Sequence, residues 1–302
     1  MMRMLPKIQA IVHGHYNVPS RSMMKTLLTA LLVLLVSLTS VSETALRYVL
    51  VKRELVESRL KSFSKDDGQR ELILKNMFRD VGCGDHIAGM EVKHEKYPNL
   101  VCVLPGESED SIIVGAHFDH ASRGDGVVDN WSGASLLPSL YEGLHSAKRR
   151  HTFIFICFTG EEHGDVGSAS YVNNMTPAEV ARTLAMINID TLGLGPTAVW
   201  LSHADPRLAS TLVAVAKSVQ LGIGAVNVER VGTSDSEQFA RRKIPRLTIH
   251  SITQDTLSIL HSPRDNLSAV KWNDYYDSYR LPSAYLTYLD LQEAERPVSP
   301  TK

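Results

Sequence analysis

Six residues able to bind a metal or move a proton stand close behind apolar stretches of this chain: His117, Asp129, Glu161, Glu162, Asp190 and His261. Imidazole and carboxylate ligands suit zinc, and a carboxylate with two free oxygens can be shared by two cations, which is the equipment of a two-metal hydrolase. Taken one at a time, each group also has a simpler role. His117 and Asp119 fall on the same side of an extended chain; the pair is either a ligand whose tautomer a carboxylate fixes, or a buried polar residue beside a turn cap. Asp129 precedes the small residues Ser132-Gly133-Ala134-Ser135 and is either a helix N-cap or a bridging ligand. Side chains of Glu161 and Glu162 diverge in an extended segment, so one carboxylate can hold metal while the other acts as general base, although solvated acidic pairs are also common in loops. Asp190 and His261 say little alone, and only the company of the others gives them weight.

Something must bring these residues together. The short, continuous apolar runs Ser111–Ala116, His151–Phe158 and Leu184–Ile189 read as buried strands. Ligands bind in open α/β sheets at the carboxyl ends of such strands, which is where His117, Glu161 and Asp190 fall. Charges at helical spacing across 43–81 predict two helices. Strand-like pieces at 89–92 and 99–104, ended by the Pro105-Gly106 turn, predict an antiparallel sheet edge. Further helices are expected at 132–147, 168–174, 205–220, 234–243 and 271–292, with strands at 197–202, 225–230 and 246–250. That alternation implies a three-layer α/β sandwich, a mixed but mostly parallel central sheet with helices on both faces.

The 302 residues, 43% hydrophobic and 22% charged, suffice for one sizeable domain, placed at 43–294 with a frayed tail at 295–302. A net charge of -1 and the lack of Lys/Arg runs exclude nucleic acid as a partner. Residues 1–42 hold the apolar run Thr26–Leu38 followed by Ser40-Val41-Ser42, the pattern of an export segment. It is either a signal peptide cleaved near Ser42 or a retained anchor, so the domain is expected to be secreted or periplasmic, or else membrane-anchored outside the cytoplasm, with no other membrane contact. The stretch upstream is long for a signal peptide, and Met23 or Met24 would begin a more conventional one. The three cysteines contain no CxxC pair, which excludes a cysteine zinc site. Cys102 and Cys157 read as small core residues, while a disulfide between one pair of the three stays open. His151, His203 and His250 read as core or surface histidines without a partnered acid, and Arg123-Gly124-Asp125 as a plain turn. The lack of a Gly-Xaa-Ser-Xaa-Gly elbow and of a phosphate-cradling loop removes the serine-hydrolase and nucleotide-binding readings.

Taken together, the segments Gly115-Ala116-His117-Phe118-Asp119, Asp129-Asn130-Trp131-Ser132-Gly133, Thr159-Gly160-Glu161-Glu162-His163-Gly164, Gly167-Ser168, Asn188-Ile189-Asp190, Ser234-Asp235-Ser236-Glu237-Gln238-Phe239 with Ile244-Pro245, and His261-Ser262-Pro263-Arg264-Asp265-Asn266 resemble the co-catalytic di-zinc aminopeptidases. These are the enzymes of the secreted bacterial leucyl aminopeptidase and aminopeptidase Y type, related to plasma glutamate carboxypeptidase and to the glutaminyl cyclases. The resemblance implies the phosphorylase/hydrolase-like sandwich. It also implies one zinc on His117, Asp129 and Asp190 and a second on Asp129, Glu162 and His261, with Glu161 as general base and Asp119 behind His117. Two departures stand out. Many relatives have histidine at the position of Ser236, and threonine at that of Ser262.

The expected activity is that of an exported exopeptidase, an aminopeptidase with two zinc ions acting on a peptide or small aminoacyl substrate. The alternatives are a glutaminyl cyclase with a single zinc and a carboxypeptidase-like dipeptidase.

Overall fold

The computed structural model describes residues 47–228 and 232–292. The expected export segment at 1–42 and the tail at 295–302 lie outside the described residues. None of the described helices is long and apolar enough to cross a membrane.

The chain enters through helices α1 (Arg53–Lys61) and α2 (Asp67–Asp80), where the Asp66 side chain caps α2 by accepting from the Gln69 N–H. Strands β1 (Ile87–Met90), β2 (Asn99–Leu104) and β3 (Ser111–His117) follow, then α3 (Leu137–His145), β4 (Thr152–Phe158), α4 (Val166–Asn174), α5 (Pro177–Arg182) and β5 (Thr183–Ile189). The remainder is β6 (Ala198–Val199), α6 (Pro206–Ser218), β7 (Gly224–Ala225), α7 (Ser236–Ala240), β8 (Arg246–His250) and the long α8 (Trp272–Leu291). The sheet order is β1-β2-β4-β3-β5-β8-β6-β7. β3 pairs in parallel with β4 on one side and β5 on the other, β5 pairs in parallel with β8, and β1, β2 and β6 join antiparallel. The expected parallel centre with an antiparallel edge is present.

Alternating residues of the central strands feed two cores. Ile112, Val114 and Ala116 join Phe78 of α2, Leu140 of α3, Leu212 of α6 and Tyr275 of α8. On the opposite face Ile113, Ile156, Phe158 and Met186 meet Val172 of α4 and Phe239 of α7. Each such fully buried side chain contributes about 1.5–3 kcal/mol. The helices after β3 and after β4 therefore lie on opposite faces, and the crevice between them opens at the carboxyl ends of β3, β4 and β5, the switch point where α/β sheets bind ligands.

Several local expectations are corrected. The helix expected over 132–147 is broken: a single turn at Ser132–Ala134 precedes α3. Pro138 lies in the first turn of α3 and has no N–H to continue a ladder from the turn before it. The sequence reading missed α5, although Thr176-Pro177-Ala178-Glu179 is a capping box with proline at the helix start, and both reciprocal hydrogen bonds form. Among the described residues of the strand expected at 225–230, which end at Val228, pairing is confined to Ala225, next to Gly224. Past it, the Val226 carbonyl accepts from His250 Nε2 instead of extending the ladder. β6 is likewise short, because a turn at Leu201–His203 follows Trp200.

Cys102 is not a free core thiol. It is disulfide-bonded to Cys83, which ties the end of α2 to the sheet, while Cys157 is free and buried. His203 is not without an acid: its Nδ1 lies 2.9 Å from Glu237 Oε1, and its ring stacks on Trp200. His250 behaves as expected of a core histidine, with Nε2 donating to Val226 and Nδ1 accepting from the Ile252 N–H.

Candidate metal centre

All six candidate ligands converge on the crevice. His117 ends β3, the Glu161-Glu162 loop follows β4, and Asp190 follows β5. Asp129 arrives on the loop after β3, and His261 on the loop between β8 and α8. His117 is 1% exposed, and its Nε2 makes no hydrogen bond. Around that nitrogen stand Asp129 Oδ1 at 3.4 Å, Asp190 Oδ1 at 3.7 Å and Glu161 Oε2 at 3.9 Å. His261 Nε2 faces Asp129 Oδ2 at 3.2 Å and Glu162 Oε2 at 3.1 Å, while Glu162 Oε1 is buried without a hydrogen bond. Asp129 thus turns one oxygen toward each histidine. It does not cap the turn that follows: Trp131 stands at the N-cap of Ser132–Ala134, and the Gly133 N–H goes to Asn130 Oδ1.

Two donor sets capable of holding a cation result: His117, Glu161 and Asp190, and Asp129, Glu162 and His261. Unpaired buried nitrogen and oxygen atoms that face one another are costly unless a positive charge completes them. Burial alone would lower the pKa of His117, but Glu161, Asp119, Asp129 and Asp190 hold it well above the ordinary value. Asp129 and Glu162 push His261 up to about 10. Asp129 is lowered even though burial opposes this, because both histidines face it. A field this negative favours positive charge at each histidine, either a proton on the ring or a metal ion on the neutral nitrogen. The residues fit a pair of divalent ions of the zinc type.

Glu161 differs from its neighbour. Burial raises its pKa well above the carboxylate range, and Asp190, Asp235 and Asp129 add to the rise against the pull of His117. His117 Nδ1 bonds the main-chain oxygen of Asp119 at 3.3 Å, with the Asp119 carboxylate 3.6 Å away, and that carboxylate accepts the N–H groups of Glu161 and Glu162 at 3.2 and 3.1 Å. Asp119 therefore meets the histidine through its main chain and holds the acidic loop through its carboxylate. Asn99 brackets the same loop, accepting from the Thr159 N–H and donating to the Gly167 carbonyl. Neither the loop-holding role of Asp119 nor that of Asn99 carries a local signal, because both partners lie across the sheet.

A cleft of about 440 Å³, open mouth included, lies over the cluster. Asp129, Glu161 and Asp190 form its acidic end, and Trp200, Val228, Ile252 and Leu260 supply apolar lining. Thr191, missed in the sequence, donates its hydroxyl to Asp190 at 3.1 Å and to Asp129 at 3.4 Å. Ser236 is buried, and its hydroxyl bonds Ser234 and Thr248.

The profile of peptidase family M28 matches residues 99–285. The chain belongs to peptidase family M28. Leupeptin-inactivating enzyme 1 of Streptomyces exfoliatus is 29% identical over 153 residues, which are 49% of this chain and 34% of that protein. The M28 chain therefore spans about a third of the length of that relative. Among solved structures, a zinc aminopeptidase from Bacillus subtilis superposes with a TM-score of 0.59 at 20% identity, covering 66% of this chain and 52% of its own. Porphyromonas gingivalis glutaminyl cyclase superposes at 0.63 with 17% identity, covering 78% of this chain and 96% of its own. At these identities the two superpositions establish the shared α/β fold. Neither departure noted in the sequence replaces one of the six candidate ligands of this M28 chain, although Ser262 directly follows His261.

Proposed function

We propose that this chain is an exported two-zinc aminopeptidase that removes the N-terminal residue of peptides. The observation that carries the reading is the Asp129 carboxylate, one oxygen facing His117 and the other facing His261. His117, Asp129 and Asp190 would hold one zinc, and Asp129, Glu162 and His261 the other. Bound zinc polarises the scissile carbonyl and lowers the pKa of water. Glu161 takes the proton of the attacking water and passes it to the leaving amine. Its buried position supports this role, since a carboxylate that is costly to keep charged accepts a proton readily.

Relatives named as aminopeptidases support a free amino terminus as the substrate end, and the apolar lining of the cleft suits an uncharged side chain. N-acetylation of a peptide is therefore expected to slow cleavage by about two orders of magnitude or more, measured as kcat/KM on paired blocked and free substrates. Equal rates would overturn the aminopeptidase reading. Sensitivity to C-terminal blocking alone would favour a carboxypeptidase, and ammonia release from N-terminal glutamine without hydrolysis would favour a cyclase.

Asp119→Asn is expected to lower zinc affinity or activity about 10–100-fold without abolishing either, because the amide offers one acceptor oxygen where two N–H groups now bind. Zinc titration of the metal-stripped variant checks this, and wild-type affinity with wild-type turnover would remove Asp119 from the site. The proposal of export rests on the apolar run Thr26–Leu38. The Cys83–Cys102 disulfide supports it, because such bonds persist in oxidising compartments.

A further inference from the structure

The loop that carries Asp129 is gripped from two directions by buried groups of opposite charge, neither of which lines the cleft. Arg70 of α2 is fully buried. Its Nη2 donates to the carbonyls of Asp125 at 2.7 Å and Gly126 at 3.0 Å, Nη1 to Phe118 at 2.9 Å, and Nε to Ser64 at 2.6 Å. The guanidinium also sits over the Trp131 ring at 5.6 Å. Asp265 accepts the N–H groups of Val128 at 2.8 Å and Asp129 at 3.3 Å through its carboxylate, and that of Asp125 at 2.8 Å through its main-chain oxygen. Carbonyls meet the cation and amides meet the anion, the polarity that lets both charges stay buried.

The backbone is shaped for this contact. Gly126 has a φ of 59°, and a side chain there would strike His120 and approach Arg70 Nη2 at 2.8 Å. Gly124, with a φ of 98°, leaves no room for a side chain against Ser262 and Asp265. Phe118, whose carbonyl Arg70 also holds, stands between His117 and Asp119. A single guanidinium therefore joins the strand end that bears His117 to the loop that bears Asp129, while Asp265 joins that loop to the one bearing His261. Arg70 lies outside the span 99–285 that matches the family.

We propose that Arg70 and Asp265 are positioning residues that set the Asp129 carboxylate between His117 and His261, and so govern metal affinity. The inference rests on the two-zinc reading. A displaced Asp129 loses its alignment with both histidines together, so the effect falls on metal binding before it falls on the fold.

The test uses the full chain stripped of metal, as wild type, Arg70→Met, Arg70→Lys and Asp265→Asn. Zinc affinity is measured by competition titration, the cobalt-substituted protein by visible absorption, and folding by circular dichroism. Arg70→Met and Asp265→Asn are expected to bind zinc about 10–100-fold more weakly, with an altered cobalt spectrum, at temperatures where their secondary structure is intact. Arg70→Lys is expected to recover part of the loss, since it keeps the charge but not the planar fork. Should Arg70→Met fail to fold, the other two variants decide. Variants that melt earlier yet bind two zinc ions with wild-type affinity and spectrum would overturn the clamp alone. A wild-type chain that binds no zinc would overturn the metal reading and the clamp with it.

Discussion

Glu161→Gln is expected to keep its zinc and lose about two to four orders of magnitude in turnover, the contribution of a general base. The substitution preserves shape and the N–H that Asp119 holds, and removes only the ability to take a proton. Its neighbour gives the contrast: Glu162 faces His261 at 3.1 Å, so Glu162→Gln is expected to lose metal. Because Glu161 Oε2 also stands 3.9 Å from His117 Nε2, metal content decides between base and ligand. Full zinc content with low turnover supports the base. Loss of one zinc in Glu161→Gln would make Glu161 a ligand, and full turnover would remove it from the reaction.

Prolonged chelation is expected to abolish peptidase activity, and zinc to restore it at two ions per chain. The basis is the set of buried atoms at His117 Nε2 and Glu162 Oε1 that form no hydrogen bond among the described residues. The measurement is activity against added zinc together with metal analysis of the reactivated protein. Activity that persists in excess chelator after long incubation would exclude a metal mechanism, and full recovery at one ion per chain would exclude the shared role of Asp129.

The cluster was legible in the sequence where residue type and strand periodicity coincide. His117, Glu161 and Asp190 follow runs whose unbroken apolar character marks central parallel strands, so their placement at one sheet end follows from the pattern. The α5 capping box is equally legible, although a six-residue helix is too short to show hydrophobic periodicity. Helix existence was recovered better than helix limits, as the break before Pro138 shows.

Other features had no local mark. Asp129 before a run of small residues reads as well as a helix cap as it does a bridge, and only the positions of His117 and His261 on either side of its carboxylate distinguish the two. Cys102 looks as much a core residue as Cys157 until β1 and β2 pair and bring the end of α2 alongside. Arg70 sits in an ordinary amphipathic helix, and Arg123-Gly124-Asp125 is an ordinary turn, until packing drives the guanidinium into the Asp125 and Gly126 carbonyls. Local pattern sufficed for the central strands β3, β4 and β5 and the residue types at their ends, because hydrophobic periodicity acts over a few neighbours. The tertiary structure alone decided which oxygen faces which nitrogen and which buried charge holds which loop. Those contacts join residues far apart in the chain, whose distances are set by strand order around β3 and not by any local preference.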